Sequence, residues 1–159
     1  MASRRTDLVT GALAGYAASR TMDAATTAFY ARQDEASKRR EQDLAPGGTL
    51  RQLGQQLAAA VGRDVDDAAA ARIGVAVHRS LGVGYGVLAA ALVRRGWSPW
   101  AAGLTVGAGA FLVVDEGTSL SQAADYPLVS HLRGVVGHAT YALAAGALLA
   151  ARGPAGVRR

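Results

Sequence analysis

Apolar residues concentrate in four long segments that are separated by more polar stretches. The segments cover about residues 8–30, 73–93, 99–116 and 129–152. At about 1.5 Å per residue, helices of these lengths would be roughly 27 to 36 Å long, which matches a hydrocarbon core of about 30 Å. The pattern therefore predicts an all-α fold, a four-helix transmembrane bundle that forms a single membrane domain over residues 1–159.

Two boundaries of these segments carry recognisable helix signals. Ser98 followed by Pro99 is typical of an N-cap with proline at the first helical position. Gly153 followed by Pro154 is typical of a helix that ends. We therefore expect the third helix to begin at residue 99 and the fourth to end near residue 152.

The first connection, about residues 31–72, is longer than the others and contains a helical pattern of its own. Leu50, Leu53, Leu57 and Val61 recur at three- and four-residue steps. This spacing predicts a short amphipathic surface helix between the first and second apolar helices. We expect it to lie along the membrane surface or to cap the bundle.

Glycine favours the membrane over a soluble alanine-rich bundle, which is the main structural alternative. Glycines occur at small-residue spacings inside the apolar segments, at positions 11, 15, 82, 84, 86, 103 and 107. In a soluble helix each would cost about 1 kcal/mol relative to alanine. In a bilayer such glycines let helix backbones approach each other closely. Trp97 and Trp100 lie at one helix boundary, as residues of an interfacial aromatic belt would.

Composition excludes several functional classes. Charged residues make up 18% of the chain, against about a quarter in soluble domains. The absence of cysteine excludes disulfides and thiolate metal sites. The formal charge is +5, but the arginines form no single stripe with interleaved aromatics, so nucleic acid is not an expected partner. The Ala, Gly, Val and Arg bias is typical of a GC-rich bacterial genome.

The arginines of the short connections predict an orientation. They lie at the amino terminus, in the second connection and at the carboxyl end, at positions 4, 5, 94, 95, 152, 158 and 159. The connection from 115 to 130 contains Asp115, Glu116 and Asp125 and no basic residue. By the positive-inside tendency, both termini face the cytoplasm. The expected localisation is the bacterial inner membrane, with the chain crossing it several times.

This orientation places most of the ionisable groups of the helices in the outer half of the bundle. Such groups cost several kcal/mol when they face lipid, so they are expected to turn inward and meet. The predicted polar cluster consists of Arg20, Asp23, His78, Asp115, Glu116, His131, His138 and Tyr141. It is expected to open to the outer face.

Four charged residues of the helices have expected structural roles. Arg20 and Asp23, three residues apart on the first helix, are expected to neutralise one another. Arg79 and Arg133 are expected to extend outward to the interface, with their aliphatic stems along the apolar surface. None of these four residues is therefore assigned to chemistry.

Three functional hypotheses are compatible with the polar cluster. The leading one is a non-enzymatic accessory or structural component of the membrane, with a membrane-protein partner or a homo-oligomer. The second is a proton- or metal-linked transporter or sensor that uses His78, Glu116 and His138, because imidazole changes charge near neutral pH and a His and carboxylate set suits zinc or manganese. The third, an intramembrane or lipid-modifying enzyme with Glu116 and His138 as acid and base, lacks a nucleophile beside a matching base.

Several of these residues also occur in the order that is found in a known family. His78 is followed by "GVGYG" at 82–86, Asp115-Glu116 ends a helix, and Tyr126-Pro127, His131 and "GHATY" at 137–141 come after it. This order resembles the YagU-like family of small bacterial inner-membrane proteins over roughly residues 8–150. The chain departs from the pattern in having Ala142 after "GHATY" and no proline between the acidic pair and Pro127. The resemblance implies an integral membrane protein and assigns no activity.

Overall fold

The computed structural model describes residues 2–117 and 125–152, and within them the fold is entirely helical, without a strand. The elements are α1 (Ala2–Ala31), α2 (Glu35–Leu44), α3 (Thr49–Ala60), α4 (Asp67–Arg94), α5 (Pro99–Ala110), a π-helical turn (Phe111–Asp115) that continues α5, and α6 (Leu128–Ala151). The all-α prediction is confirmed. The predicted stop at Gly153-Pro154 lies outside the described residues.

Four of the helices pack side by side in a ring. α1 contacts α4 and α6, and α5 contacts the same two helices, so that α4 and α6 lie across a diagonal. α3 packs along α4, and α2 contacts the start of α6. Two helices, α4 and α6, are long and apolar enough to cross a membrane, and α5 with its π turn is a shorter apolar helix.

The interior of this bundle is built from small side chains, while large apolar side chains face outward. The buried apolar residues are mainly alanines, such as Ala18, Ala102 and Ala145. In contrast, Leu104 and Leu143 are 51% and 53% exposed. This distribution is the reverse of that in soluble proteins, where leucine is among the most buried residue types.

Close backbone contact explains the small residues in the core. A Cβ atom built on Gly11 of α1 would lie 2.8 Å from the carbonyl oxygen of Gly86 on α4. One built on Gly103 of α5 would lie 2.5 Å from the carbonyl oxygen of Ala142 on α6. The predicted role of the glycines in helix packing is confirmed at both interfaces. Gly84 is an exception, because it is exposed and a Cβ there would contact nothing within 4 Å.

The capping residues set where the long helices begin. The Ser98 side chain accepts a hydrogen bond from the Ala101 amide at 3.1 Å, and Pro99 is the first residue of α5, as predicted. The Asp66 side chain caps α4 in the same way, through the Ala69 amide. α4 therefore begins at Asp67, earlier than the apolar run that starts near residue 73 indicates.

The long connection contains two helices where one was predicted. The amphipathic helix is confirmed as α3, which packs tightly on α4, since a Cβ on Gly54 would overlap the carbonyl group of Ala70. α2 was missed because it is strongly charged and has no apolar stripe. Its sequence signal is the cap, in which the Asp34 side chain accepts from the Ser37 amide at 2.9 Å.

Candidate functional site

All three histidines of the chain lie beside carboxylates at one end of the bundle. The Nε2 atom of His78 is 3.0 Å from Oδ1 of Asp23, Nδ1 of His131 is 2.8 Å from Oε1 of Glu116, and Nε2 of His138 is 3.2 Å from Oδ2 of Asp115. Each pair joins two different elements of the fold. Six residues of the predicted polar cluster therefore lie at this end of the bundle.

The π-helical turn delivers two of the carboxylates. The amide of Glu116 donates to the carbonyl oxygen of Phe111 at 3.1 Å, five residues earlier, so the backbone widens where α5 ends. Turns of this kind occur frequently at functional sites. Directly at the end of the turn, Asp115 faces His138 and Glu116 faces His131.

This pairing differs from the predicted one. The sequence predicted that Glu116 pairs with His138, whereas the structure pairs Glu116 with His131 and gives His138 to Asp115. Helical spacing predicts the depth of a side chain along the bundle, but the wide turn changes the direction in which residues 115 and 116 leave the helix. The residue types were therefore predicted correctly and their partners were not.

Asp23 also has different partners from those expected. Its carboxylate is bound by His78 and by the Arg79 guanidinium, which in turn donates to the Ser19 hydroxyl at 2.8 Å. Arg79 therefore turns into the bundle rather than outward, because a half-buried carboxylate and a buried hydroxyl are there to receive it. Arg20 lies on the exposed face of α1, so the predicted Arg20-Asp23 pair is wrong.

One buried carboxylate, that of Glu41, was not predicted from the sequence. Glu41 of α2 is only 8% exposed, and it accepts hydrogen bonds from Arg133 at 2.7 Å, from Ser130 at 2.6 Å and from Gln33. Burial raises the pKa of Glu41, but these three donors outweigh burial and hold the pKa below its ordinary value. We refer to Glu41, Arg133, Ser130 and Gln33 as the Glu41 network.

The Glu41 network corrects the expectation for Arg133 as well. The guanidinium lies 5.1 Å above the ring of Tyr30 and binds Glu41, so it points toward α2 and not along the lipid-facing surface. No periodicity in the sequence connects residue 41 with residue 133. Their contact arises only because α2 folds back onto the start of α6.

Two adjoining cavities lie at this end of the bundle. The larger has a volume of about 290 Å³ and is lined by Leu50, Leu53, Leu81, Phe111 and Val114 on its apolar side and by His78, Asp115, Glu116, His131 and Arg133 on its polar side. The smaller, of about 80 Å³, lies deeper and is lined by Ser19, Tyr85, His138 and Tyr141, among others. His78 and Asp115 line both cavities.

The inner cavity holds the most buried members of the cluster. His138 is 9% exposed, and its Nε2 atom, although 3.2 Å from Asp115, is not aligned for a hydrogen bond. Its ring lies 5.7 Å from that of Phe111. The Tyr141 hydroxyl donates to the carbonyl oxygen of Gly82 at 2.7 Å, so Tyr141 is fixed to the backbone of α4 and takes no part in an ion pair.

The charge balance divides the carboxylates into two groups. Asp23 pairs with Arg79, and Glu41 pairs with Arg133. Both arginines stay protonated. Within the described residues, the remaining two carboxylates of the cluster, those of Asp115 and Glu116, pair with imidazoles alone. Compensation of their charge therefore depends on whether those imidazoles carry a proton.

A metal centre is not assembled from the predicted ligands. In residues 2–117 and 125–152, no three His or carboxylate groups are arranged to hold a metal ion. His78, Glu116 and His138 each bind a different partner, namely Asp23, His131 and Asp115. The structure thus gives pairs rather than the zinc triad that the sequence indicated.

Comparison with known proteins adds no further constraint. No protein-family profile, curated protein or solved structure matches this chain.

Proposed function

We propose that this chain is a multi-pass membrane protein whose His-carboxylate cavity binds and releases protons, in proton-linked transport or sensing. The observation that carries the proposal is the pairing of Asp115 and Glu116 with His138 and His131 and with no arginine among the described residues. Imidazole is the side chain that changes charge near neutral pH. Proton uptake at these pairs would convert two unbalanced carboxylates into two ion pairs.

The exposed apolar surface supports the membrane part of the proposal. Leucines such as Leu13, Leu104 and Leu143 face outward on α1, α5 and α6, around a core of alanine and glycine. Transmembrane helices pack through small residues and turn large apolar residues to lipid. In this proposal α1 and α5 join α4 and α6 as a four-helix transmembrane bundle, consistent with the YagU-like resemblance.

The charged end of the bundle supports an orientation. The Arg152 guanidinium, directly after α6, donates to the Thr10 hydroxyl of α1, so the end of α6 lies beside the amino-terminal part of α1, opposite the His-carboxylate end. Arg94 and Arg95 end α4, which runs away from His78 toward that same end. By the positive-inside tendency we place this end in the cytoplasm of a bacterium and the cavity at the outer face of its inner membrane.

The surroundings make the proton state of the pairs consequential. Asp115 and Glu116 adjoin a cavity with an apolar side, where an unbalanced carboxylate is costly. Because the two carboxylates are adjacent in sequence and both face the larger cavity, protonation of one pair changes the energy of the other.

The test uses the fact that the chain has 3 histidines, which give a simple imidazole NMR spectrum. In nanodiscs, the titration of His138 should change in Asp115→Asn and that of His131 in Glu116→Gln, with each signal assigned through a His→Gln variant. Asp43→Asn, an exposed position on α2, is the matched control and should leave all three titrations unchanged.

Identical histidine titrations in the wild type and in the Asp115→Asn, Glu116→Gln double variant would refute the proposal. Transport and sensing are separated by a second measurement, proton flux into liposomes that contain a pH-sensitive dye. Flux that is lost in the double variant supports transport. Absence of flux, together with altered titrations, supports sensing.

A further inference from the structure

We infer that the larger cavity binds a small organic cation with an apolar body, such as an alkyl- or arylammonium ion, in exchange for protons. The inference rests on the proposed function, because it uses the same His-carboxylate pairs. It adds the chemical class of the ligand, which the proton-binding groups alone do not specify.

The charges around the larger cavity favour a cation as its ligand. Arg133 is the permanent cation in its lining, and Glu41 neutralises it through a bidentate ion pair. Asp23, which faces His78 from α1, is neutralised by Arg79. With neutral imidazoles, the carboxylates of Asp115 and Glu116 therefore leave the described part of the cavity with excess negative charge, which selects a cation over an anion.

The volume and the lining of the larger cavity favour an organic ligand. Its volume of about 290 Å³ is near the lower limit of small-molecule sites, about 300 to 1,000 Å³. A bare metal ion or a few water molecules would fill little of it. Leu50 and Leu53 of α3 and Leu81 of α4 line the cavity together with the carboxylates of Asp115 and Glu116. A ligand that satisfies both the apolar and the charged lining has an apolar body and one charged end.

The larger cavity also has an aromatic group in its lining. Phe111 lines the larger cavity and lies next to His138, whose ring centroid is 5.7 Å away. An aromatic face attracts ammonium groups within about 6 Å. The buried His138 Nε2 atom has no hydrogen-bond partner among the described residues and lies 3.2 Å from Asp115, so the pairing of this carboxylate with imidazole is geometrically incomplete.

These features make cation and proton compete. When His131 and His138 take up protons on their ring nitrogens, Glu116 and Asp115 gain full ion-pair partners and the attraction for the ligand cation falls. When one monovalent cation binds, one of these protons leaves to solvent, so the net charge of the cavity is unchanged. By linkage, the change in cation affinity with pH equals the change in proton affinity with cation. Tyr85 and Tyr126 add only phenol groups to the two cavities.

The experiment measures binding of benzyltrimethylammonium to the full chain in nonionic micelles by calorimetry, with phenylacetate as an anionic control of similar size. We expect saturable binding of the ammonium alone, and an affinity at about pH 8 that is roughly tenfold or more above that at about pH 5. In weakly buffered solution at intermediate pH, addition of the ammonium to the wild type should release protons, a readout that needs no variant.

Three variants locate the site. The Asp115→Asn, Glu116→Gln double variant should weaken ammonium binding roughly tenfold or more, and Phe111→Leu should weaken it less, by about two- to fivefold. Asp43→Asn should leave it unchanged. Absence of saturable binding, equal binding of phenylacetate, or unchanged binding in the double variant would each overturn the inference. If the histidine titrations still depend on Asp115 and Glu116 in that case, the proton-binding proposal stands and only the ligand class fails.

Discussion

Replacement of Gly86 by alanine tests the backbone contact between α1 and α4. A Cβ atom there would lie against the Gly11 carbonyl oxygen and 2.5 Å from both Cα and N of Gly15, all of them backbone atoms that cannot rotate away. Such overpacking costs about 1 to 3 kcal/mol. Alanine also gains about 1 kcal/mol in helix propensity over glycine. The net expectation is therefore a loss of up to about 2 kcal/mol in the free energy of unfolding.

Gly84 provides the matched control on the same helix. A Cβ at this exposed position contacts nothing within 4 Å, so Gly84→Ala should retain only the propensity gain and stabilise the protein by up to about 1 kcal/mol. The two variants should differ by about 1 to 3 kcal/mol, which is the packing cost alone. The assay is unfolding by SDS in mixed micelles, followed by far-UV circular dichroism. Equal shifts in the two variants would refute the close approach of α1 and α4.

Further predictions concern the Glu41 network, the core and the membrane. Glu41→Gln should lower the free energy of unfolding by about 2 to 3 kcal/mol, because it leaves the partly exposed Arg133 without a carboxylate partner, whereas Glu35→Gln, on the exposed face of the same helix, should leave stability unchanged. The pKa of Glu41 is lower in the folded state than its ordinary value of 4.5. The contribution of ionised Glu41 to the free energy of unfolding is therefore complete above pH 4.5 and is lost as the pH falls through the lower pKa of the folded state. The difference in stability between the wild type and Glu41→Gln should accordingly shrink in acid. Tyr141→Phe removes the donor to the buried Gly82 carbonyl and should cost about 1 kcal/mol in the same unfolding assay. The chain should stay in carbonate-washed membranes, and its recovery in the aqueous fraction without detergent would contradict the membrane proposal. Gentle detergent extraction should recover the predicted membrane partner or homo-oligomer. A lone monodisperse protomer would argue against such a partner or oligomer.

Local signals in the sequence were sufficient for much of the fold. The Ser98-Pro99 start of α5, the apolar stripe of α3 and the contact glycines Gly11 and Gly103 all follow from short-range rules of capping, periodicity and close packing. These rules apply because each feature depends on residues that are near one another in the chain.

Partner choice in the site depends on long-range geometry, and the sequence could not predict it. The π turn at the end of α5 decides that Glu116 meets His131 and that Asp115 meets His138. The charged helix α2 brings Glu41 to Arg133 across more than ninety positions of the chain. Neither a one-residue widening of a helix nor the folding back of a polar helix leaves a periodic trace in the sequence.

The glycine contacts also distinguish two kinds of helix interface in the bundle. α1 and α4 touch through backbone atoms, as do α5 and α6, so neither pair of helices can slide without disturbing those contacts. Between the two pairs of helices, a Cβ atom on Gly137 of α6 would meet only the side-chain ends of Met22 and Thr26 of α1, which can move aside. Both cavities are lined by residues of the two pairs, so a change of side-chain conformation between them would alter the cavities while the backbone contacts within each pair stay in place.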